Sequence, residues 1–175
     1  MATSELYWQD TDCEIHRIVV GPLANNVLFV RCRHTGESIM VDAADEHGKL
    51  LELCQALDTR TVLETHGHFD HIGALTEVRD AGYEVGVTAE DAYRLPSYDY
   101  ILEDDTEIEV GQLRIQTMKT PGHTEGSICF KIKDKPVRIS GDTLFHGGPG
   151  RTDLPGGDWQ TILKSLDQRL SLIHI

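Results

Sequence analysis

A chain of 175 residues with 16 Lys and Arg against 29 Asp and Glu has a formal net charge of −13, which repels phosphate backbones and argues against nucleic-acid binding. With 39% hydrophobic and 26% charged residues, it has the make-up of one ordinary globular domain over 1–175 and not of a disordered or fibrous chain. No apolar run reaches about 18 residues, and Met1–Asp12 is polar and acidic, so neither a membrane span nor a targeting segment is expected.

The expected setting is the cytoplasm, where the widely spaced Cys13, Cys32, Cys54 and Cys129 read as reduced core residues. In chain order, Glu14–Val20 and Val27–Arg33 are β-branched and apolar, and Ser38–Val41 follows a His34–Glu37 turn to make a hairpin. Asp45 caps a helix predicted over Glu46–Leu57, with Leu50, Leu51, Leu53, Cys54 and Leu57 on one face. Thr61–Glu64 reads as a short buried strand, Thr65–His71 as a polar interruption, and Ile72–Ala81 as a second helix stopped by Gly82. Glu84–Val87 is a strand, Glu90–Leu95 a short helix ended by Pro96, and Tyr98–Asp105 an irregular acidic stretch. Strands follow at Glu107–Val110, Leu113–Met118, Ser127–Lys133 and Val137–Ser140, before a last helix from Asp158 to about Leu170. Strands interleaved with helices predict a layered α/β domain.

The chemistry concentrates in Thr65-His66-Gly67-His68-Phe69-Asp70-His71. Three imidazoles and a carboxylate within six residues are donors suited to zinc or iron. In an extended segment His66, His68 and Asp70 point the same way, His71 turns in where the chain bends, and Gly67 leaves room for a metal near the backbone. His123, in Thr120-Pro121-Gly122-His123-Thr124, and Asp142, in Ser140-Gly141-Asp142-Thr143, lie at further strand ends, where sites are assembled on a scaffold.

Through these three clusters, in this order, the chain resembles the metallo-β-lactamase superfamily. The run Gly150-Arg151-Thr152-Asp153-Leu154-Pro155-Gly156-Gly157-Asp158 makes it similar to the glyoxalase II-like branch. The resemblance implies a four-layer αβ/βα sandwich with the metal site at one edge of two sheets. It implies two divalent ions, zinc first with iron or manganese as the other candidates. His66, His68 and His123 hold the first, Asp70 and His71 the second, and Asp142 bridges them. The implied activity is cleavage of a small thioester or related ester, of the hydroxyacylglutathione type, by a metal-bound hydroxide, with Asp70 counted in the catalytic machinery.

The family continues beyond the last helix with a strand, a helix and one further His in a Gly-rich setting. Here the chain reads to Ile175 and His174 lacks those flanks, so the expectation is a domain short of its last strand and helix. Two alternatives accompany the hydrolase. One is a persulfide dioxygenase with a single iron on His66, His123 and Asp142; the other is a non-catalytic metal-binding remnant. Of the remaining histidines, His16, His34 and His47 read as surface or capping residues. His146 faces the site from a Gly-rich loop, and Arg151 with Asp153 reads as a pair that holds its own loop.

Overall fold

The computed structural model describes residues 2–170. Strands β1 (Glu5–Gln9), β2 (Cys13–Val20), β3 (Asn25–Cys32) and β4 (Ser38–Val41) run antiparallel in sequence. Helix α1 (His47–Ala56) then carries the chain over to β5 (Thr59–Leu63), which pairs parallel with β4. Helix α2 (Leu75–Asp80) leads to β6 (Glu84–Val87), and β7 (Tyr100–Ile101) closes a seven-stranded sheet in the order β1 to β7. A second, four-stranded sheet has the order β11-β10-β9-β8, from β8 (Glu107–Val110), β9 (Leu113–Lys119), β10 (Ile128–Ile132) and β11 (Arg138–Ile139). A small hairpin of β12 (Leu144–Phe145) and β13 (Gly148–Pro149) precedes α3 (Trp159–Ser165), which runs on into a π turn at Leu166–Leu170.

Side-chain alternation along the strands builds four layers. On β3, Val27 and Phe29 face α1 and α2 beside Leu50, Leu53 and Leu75, whereas Val30 faces the second sheet. On β10, Ile128, Phe130 and Ile132 meet Ile15, Ile39 and Leu63 between the sheets. Cys129, on the opposite face, packs with Met118 and Leu170 on the α3 side. The order is helices, sheet, sheet, helix. All four cysteines are buried and unpaired, as core residues. Among the described residues no helix is long and apolar enough to cross a membrane.

Several elements differ from the sequence expectation. The polar start contains an edge strand, β1, supported by pairing with β2 and not by an apolar pattern. Within Tyr98–Asp105, expected to be irregular, Tyr100 and Ile101 pair with Gly86 and Val87. Helix α1 lacks a side-chain cap: Glu46 stands at φ 53°, and Asp45 accepts from the Glu46 N–H. Helix α2 starts at Leu75 and not at Ile72, because the Ala74 N–H donates to the Ala43 carbonyl (2.9 Å) and ties that segment to the end of β4. Asp158 does cap α3, accepting from the Thr161 N–H at 2.7 Å. The expectations for residues 171–175, His174 included, lie outside the described residues.

Candidate metal centre

Three loops meet where the two sheets approach each other. The first follows β5, the second joins β9 to β10, and the third is the single 3-10 turn Gly141–Thr143 after β11. The Ile128 N–H donates to the Thr65 carbonyl (2.9 Å), lacing the first loop to the start of β10. The second loop turns at Gly122, where φ is 136° and a Cβ would lie 2.3 Å from the Ile162 nitrogen, so only glycine lets α3 seat against it. The Asp158 N–H then donates to the Gly122 carbonyl (2.8 Å), fixing the start of α3 on the same loop.

These loops bring His66, His68 and His123 together. His123 Nε2 lies 2.9 Å from His68 Nδ1 and 3.2 Å from His66 Nε2. A second group, His66, His71 and Asp142, adjoins it. Asp142 stands between the two, with Oδ2 3.5 Å from His123 Nε2 and Oδ1 3.4 Å from His71 Nε2. Asp70 is more peripheral: its Oδ2 lies 3.7 Å from His71 Nε2 and accepts from Asn25 Nδ2 at 3.1 Å.

The outer nitrogens of three histidines are already engaged. His123 donates from Nδ1 to the Arg151 carbonyl (2.7 Å), and His71 from Nδ1 to Asp42 Oδ2 (2.8 Å). His66 Nδ1 meets Thr65 Oγ1 at 3.0 Å, and that hydroxyl donates to Asp42 Oδ2 at 2.9 Å. For His123 and His66 this leaves Nε2 as a lone pair directed inward, the tautomer that ligates a metal, whereas His71 presents its Nε2 to Asp142. Lone pairs gathered this closely in a buried setting are matched by a shared cation, so the donor set fits a divalent ion of the zinc or iron kind.

Electrostatics divide the cluster. Burial, reinforced by the neighbouring His71, His123 and His68, holds His66 well below the usual imidazole range, and burial with His123 and Arg94 lowers His68. Burial opposes a charge on His71 as well, but Asp42 and Asp142 outweigh it and lift its pKa to about 11. Asp142 is lowered: burial would raise it, and the bond with His71 wins. Glu64, fully buried beside Asp42, is raised well above the carboxylate range by burial and by that neighbour.

The six predicted ligands therefore share one site, with Asp70 the outermost. β5 ends at Leu63 with a bend at Thr65, residues 66–68 carry no turn, and the turn over 69–71 brings His71 in, as expected. Gly67 makes room not for a metal but for Arg94, whose Cβ a Gly67 side chain would meet at 2.6 Å. Three residues at the site escaped sequence reasoning. Asp42, Asn25 and Asp91 are single polar residues beside strands or turns, with no local pattern to mark them. A cleft of about 650 Å³ opens beside Asp70, His71 and Asp142, and Arg17, Phe145 and His146 contribute to its walls. His34 is an exposed partner of Asp12, and His16 a half-buried partner of Glu14. Arg151 and Asp153 form a two-pronged exposed pair, with both contacts at 2.7 Å.

Known proteins resemble this chain in sequence and fold. The Metallo-beta-lactamase superfamily matches residues 20–172. The chain is 35% identical to "Probable metallo-hydrolase YqgX" of Bacillus subtilis (strain 168), covering 88% of this chain and 82% of the relative. It is 32% identical to "Hydroxyacylglutathione hydrolase GloC" of Haemophilus influenzae, over 75% of this chain and 72% of that one. Among solved structures, TTHA1623 in a di-iron-bound form superposes with a TM-score of 0.78 at 30% identity, covering 89% of this chain and 86% of that one. With its layered sheets, its clustered histidines and this match over most of its length, the chain belongs to the metallo-beta-lactamase superfamily.

Proposed function

We propose that the chain is a metal-dependent hydrolase of small thioesters or related esters, working in the cytoplasm on soluble substrates and not on nucleic acid or membranes. The observation that carries this reading is the convergence of His66, His68 and His123 nitrogens at 2.9 and 3.2 Å, with Asp142 reaching towards both His123 and His71. In this reading His66, His68 and His123 hold one divalent ion, Asp70 and His71 a second, and Asp142 both. Ions so held supply a water whose pKa falls towards neutrality and a positive field for the carbonyl oxygen under attack. Zinc suits the all-nitrogen group, and iron or manganese would suit the carboxylate-rich one.

The chain's own residues set the geometry. Asp42 holds His71 by its Nδ1, and the Arg151 carbonyl holds His123 by its Nδ1, so neither ring can rotate without losing a hydrogen bond. Asn25 grips both the Asp70 carboxylate and its carbonyl (3.1 and 2.6 Å) and fixes Asp70 at the mouth of the cleft. The cleft, about 650 Å³, has the size of a small-molecule site, and Phe145 offers an apolar wall while Arg17 and His146 offer polar ones. The relatives named as hydrolases support this chemistry; their printed substrate remains theirs.

Metal content measured together with turnover tests the reading. Purified chain loaded with zinc should hydrolyse a thioester panel, acylglutathiones among it, faster than simple esters, and a chelator should abolish the activity. One iron per chain with persulfide-dependent oxygen uptake would replace this reading with a dioxygenase. Stable metal uptake with no turnover of any panel member would leave a metal-binding domain without catalysis.

A further inference from the structure

Asp91 lies outside every metal-ligand motif, at the entry to the single 3-10 turn Ala92–Arg94. It is completely buried. Its Oδ2 accepts from the Gly67 N–H at 2.8 Å and from Thr124 Oγ1 at 2.7 Å, while Oδ1 accepts from the Gly126 N–H at 3.0 Å. Gly67 sits between His66 and His68, and Thr124 directly follows His123. One carboxylate thus ties together two loops whose histidines, His66 and His123, stand 57 positions apart in the chain.

The contact is tight on both sides. A Cβ on Gly126 would lie 2.7 Å from Asp91 Cβ, and one on Gly67 would lie 2.6 Å from Arg94 Cβ. Both loop backbones are pressed against the turn that carries Asp91, so the spacing between them follows the position of that turn. A buried carboxylate is tolerated when donors surround it, and its charge makes each of those hydrogen bonds stronger than a neutral one. A fully satisfied buried network of this sort holds a single geometry.

We infer that Asp91 is a positioning residue that sets the distance of His66 and His68 from His123, and through it the affinity and coordination geometry of the three-nitrogen site. The inference rests on the metal centre proposed above and adds a residue to its support. Removal of partners that orient metal ligands typically weakens metal binding about 10–100-fold. Asparagine keeps the shape of Asp91 but turns one acceptor into a donor, which then faces an N–H. A smaller loss is expected from it.

The test is a zinc titration of the whole chain against a competing chromophoric chelator, with visible spectra of the cobalt-substituted protein alongside. Asp91→Ala should weaken the tighter zinc event about 10–100-fold and alter the cobalt bands, and Asp91→Asn should do both to a lesser degree. Val78→Ala provides the control, because Val78 is fully buried on α2 in the core against the helices and the first sheet and its side chain is not a hydrogen-bond partner of Asp91. It should lower the melting temperature and leave zinc affinity and the cobalt spectrum as in the wild type. If Asp91→Ala does not fold, the Asp91→Asn titration decides alone. The inference is overturned if the folded Asp91 variants titrate and absorb like the wild type, or if Val78→Ala loses as much affinity as they do. A wild-type chain that takes up no zinc overturns the metal centre itself, a result distinct from equal binding by wild type and variants.

Discussion

His71 and Asp42, 29 positions apart, are joined by a 2.8 Å hydrogen bond from Nδ1 to Oδ2, and the same carboxylate also takes the Thr65 N–H at 2.7 Å and its hydroxyl at 2.9 Å. Asp42 is buried; it orients one predicted ligand and anchors Thr65, next to His66 in the loop that also carries His68 and Asp70. Asp42→Ala should weaken metal binding at the Asp70–His71–Asp142 group about 10–100-fold. It should also destabilise the fold by roughly 1–3 kcal/mol, because the Thr65 N–H loses its acceptor in the interior. Metal stoichiometry by elemental analysis and a denaturant melt check both. Two full equivalents of metal in the variant would remove Asp42 from the site.

The raised pKa of His71, about 11, sets a direction for pH. Below the ordinary imidazole value near 6.5 the folded and unfolded chains both carry this proton, and the stabilising interaction is fully present. As pH rises towards 11 the metal-free fold loses that contribution. Metal binding runs the opposite way, since an ion on His71 Nε2 displaces a proton and gains affinity as pH increases. His66 and His68 are lowered, by burial first, and so give up fewer protons on binding a metal. The equivalent that engages His71 should therefore release more protons than one that engages His66 and His68. Calorimetry in buffers of different ionisation heat reads the difference; equal release would contradict it.

Substitution of the ligands should separate chemistry from surface. His68→Ala and Asp70→Ala should each abolish hydrolysis in the metal-loaded chain with the fold retained by circular dichroism. His34→Ala removes only a 3.0 Å contact with Asp12, between side chains that are 47% and 41% exposed, a surface interaction that contributes little. Its activity should stay near that of the wild type. Comparable losses in all three would misplace the site.

Gly122→Ala probes the seat of α3. The new Cβ would stand 2.3 Å from the Ile162 backbone nitrogen at a φ of 136°, and strain of that kind costs roughly 1–3 kcal/mol. The melting temperature should fall by several degrees, about 2–4 °C for each kcal/mol in a domain of this size. His123 adjoins Gly122, so zinc affinity should fall with it. A variant unchanged in both measurements would show that α3 and the loop adjust independently.

The parts of this protein legible in its sequence are those in which residue type and short spacing carry the physics. β-Branched, apolar runs marked β2 and β3, the Asp158 side chain marked the start of α3, and His66, His68, His71, His123 and Asp142 carried donor chemistry in their identities alone. The tertiary structure decided how these donors meet. β5 stops at Leu63, and the turn over 69–71 brings His71 in beside His66 and His68. β1 and β7 are short and flanked by acidic residues, and become strands because a neighbouring strand offers them partners. Asp42, Asn25 and Asp91 act through hydrogen bonds spanning 23 to 45 positions, and a single carboxylate or amide shows nothing of such a partner until the chain has folded around it.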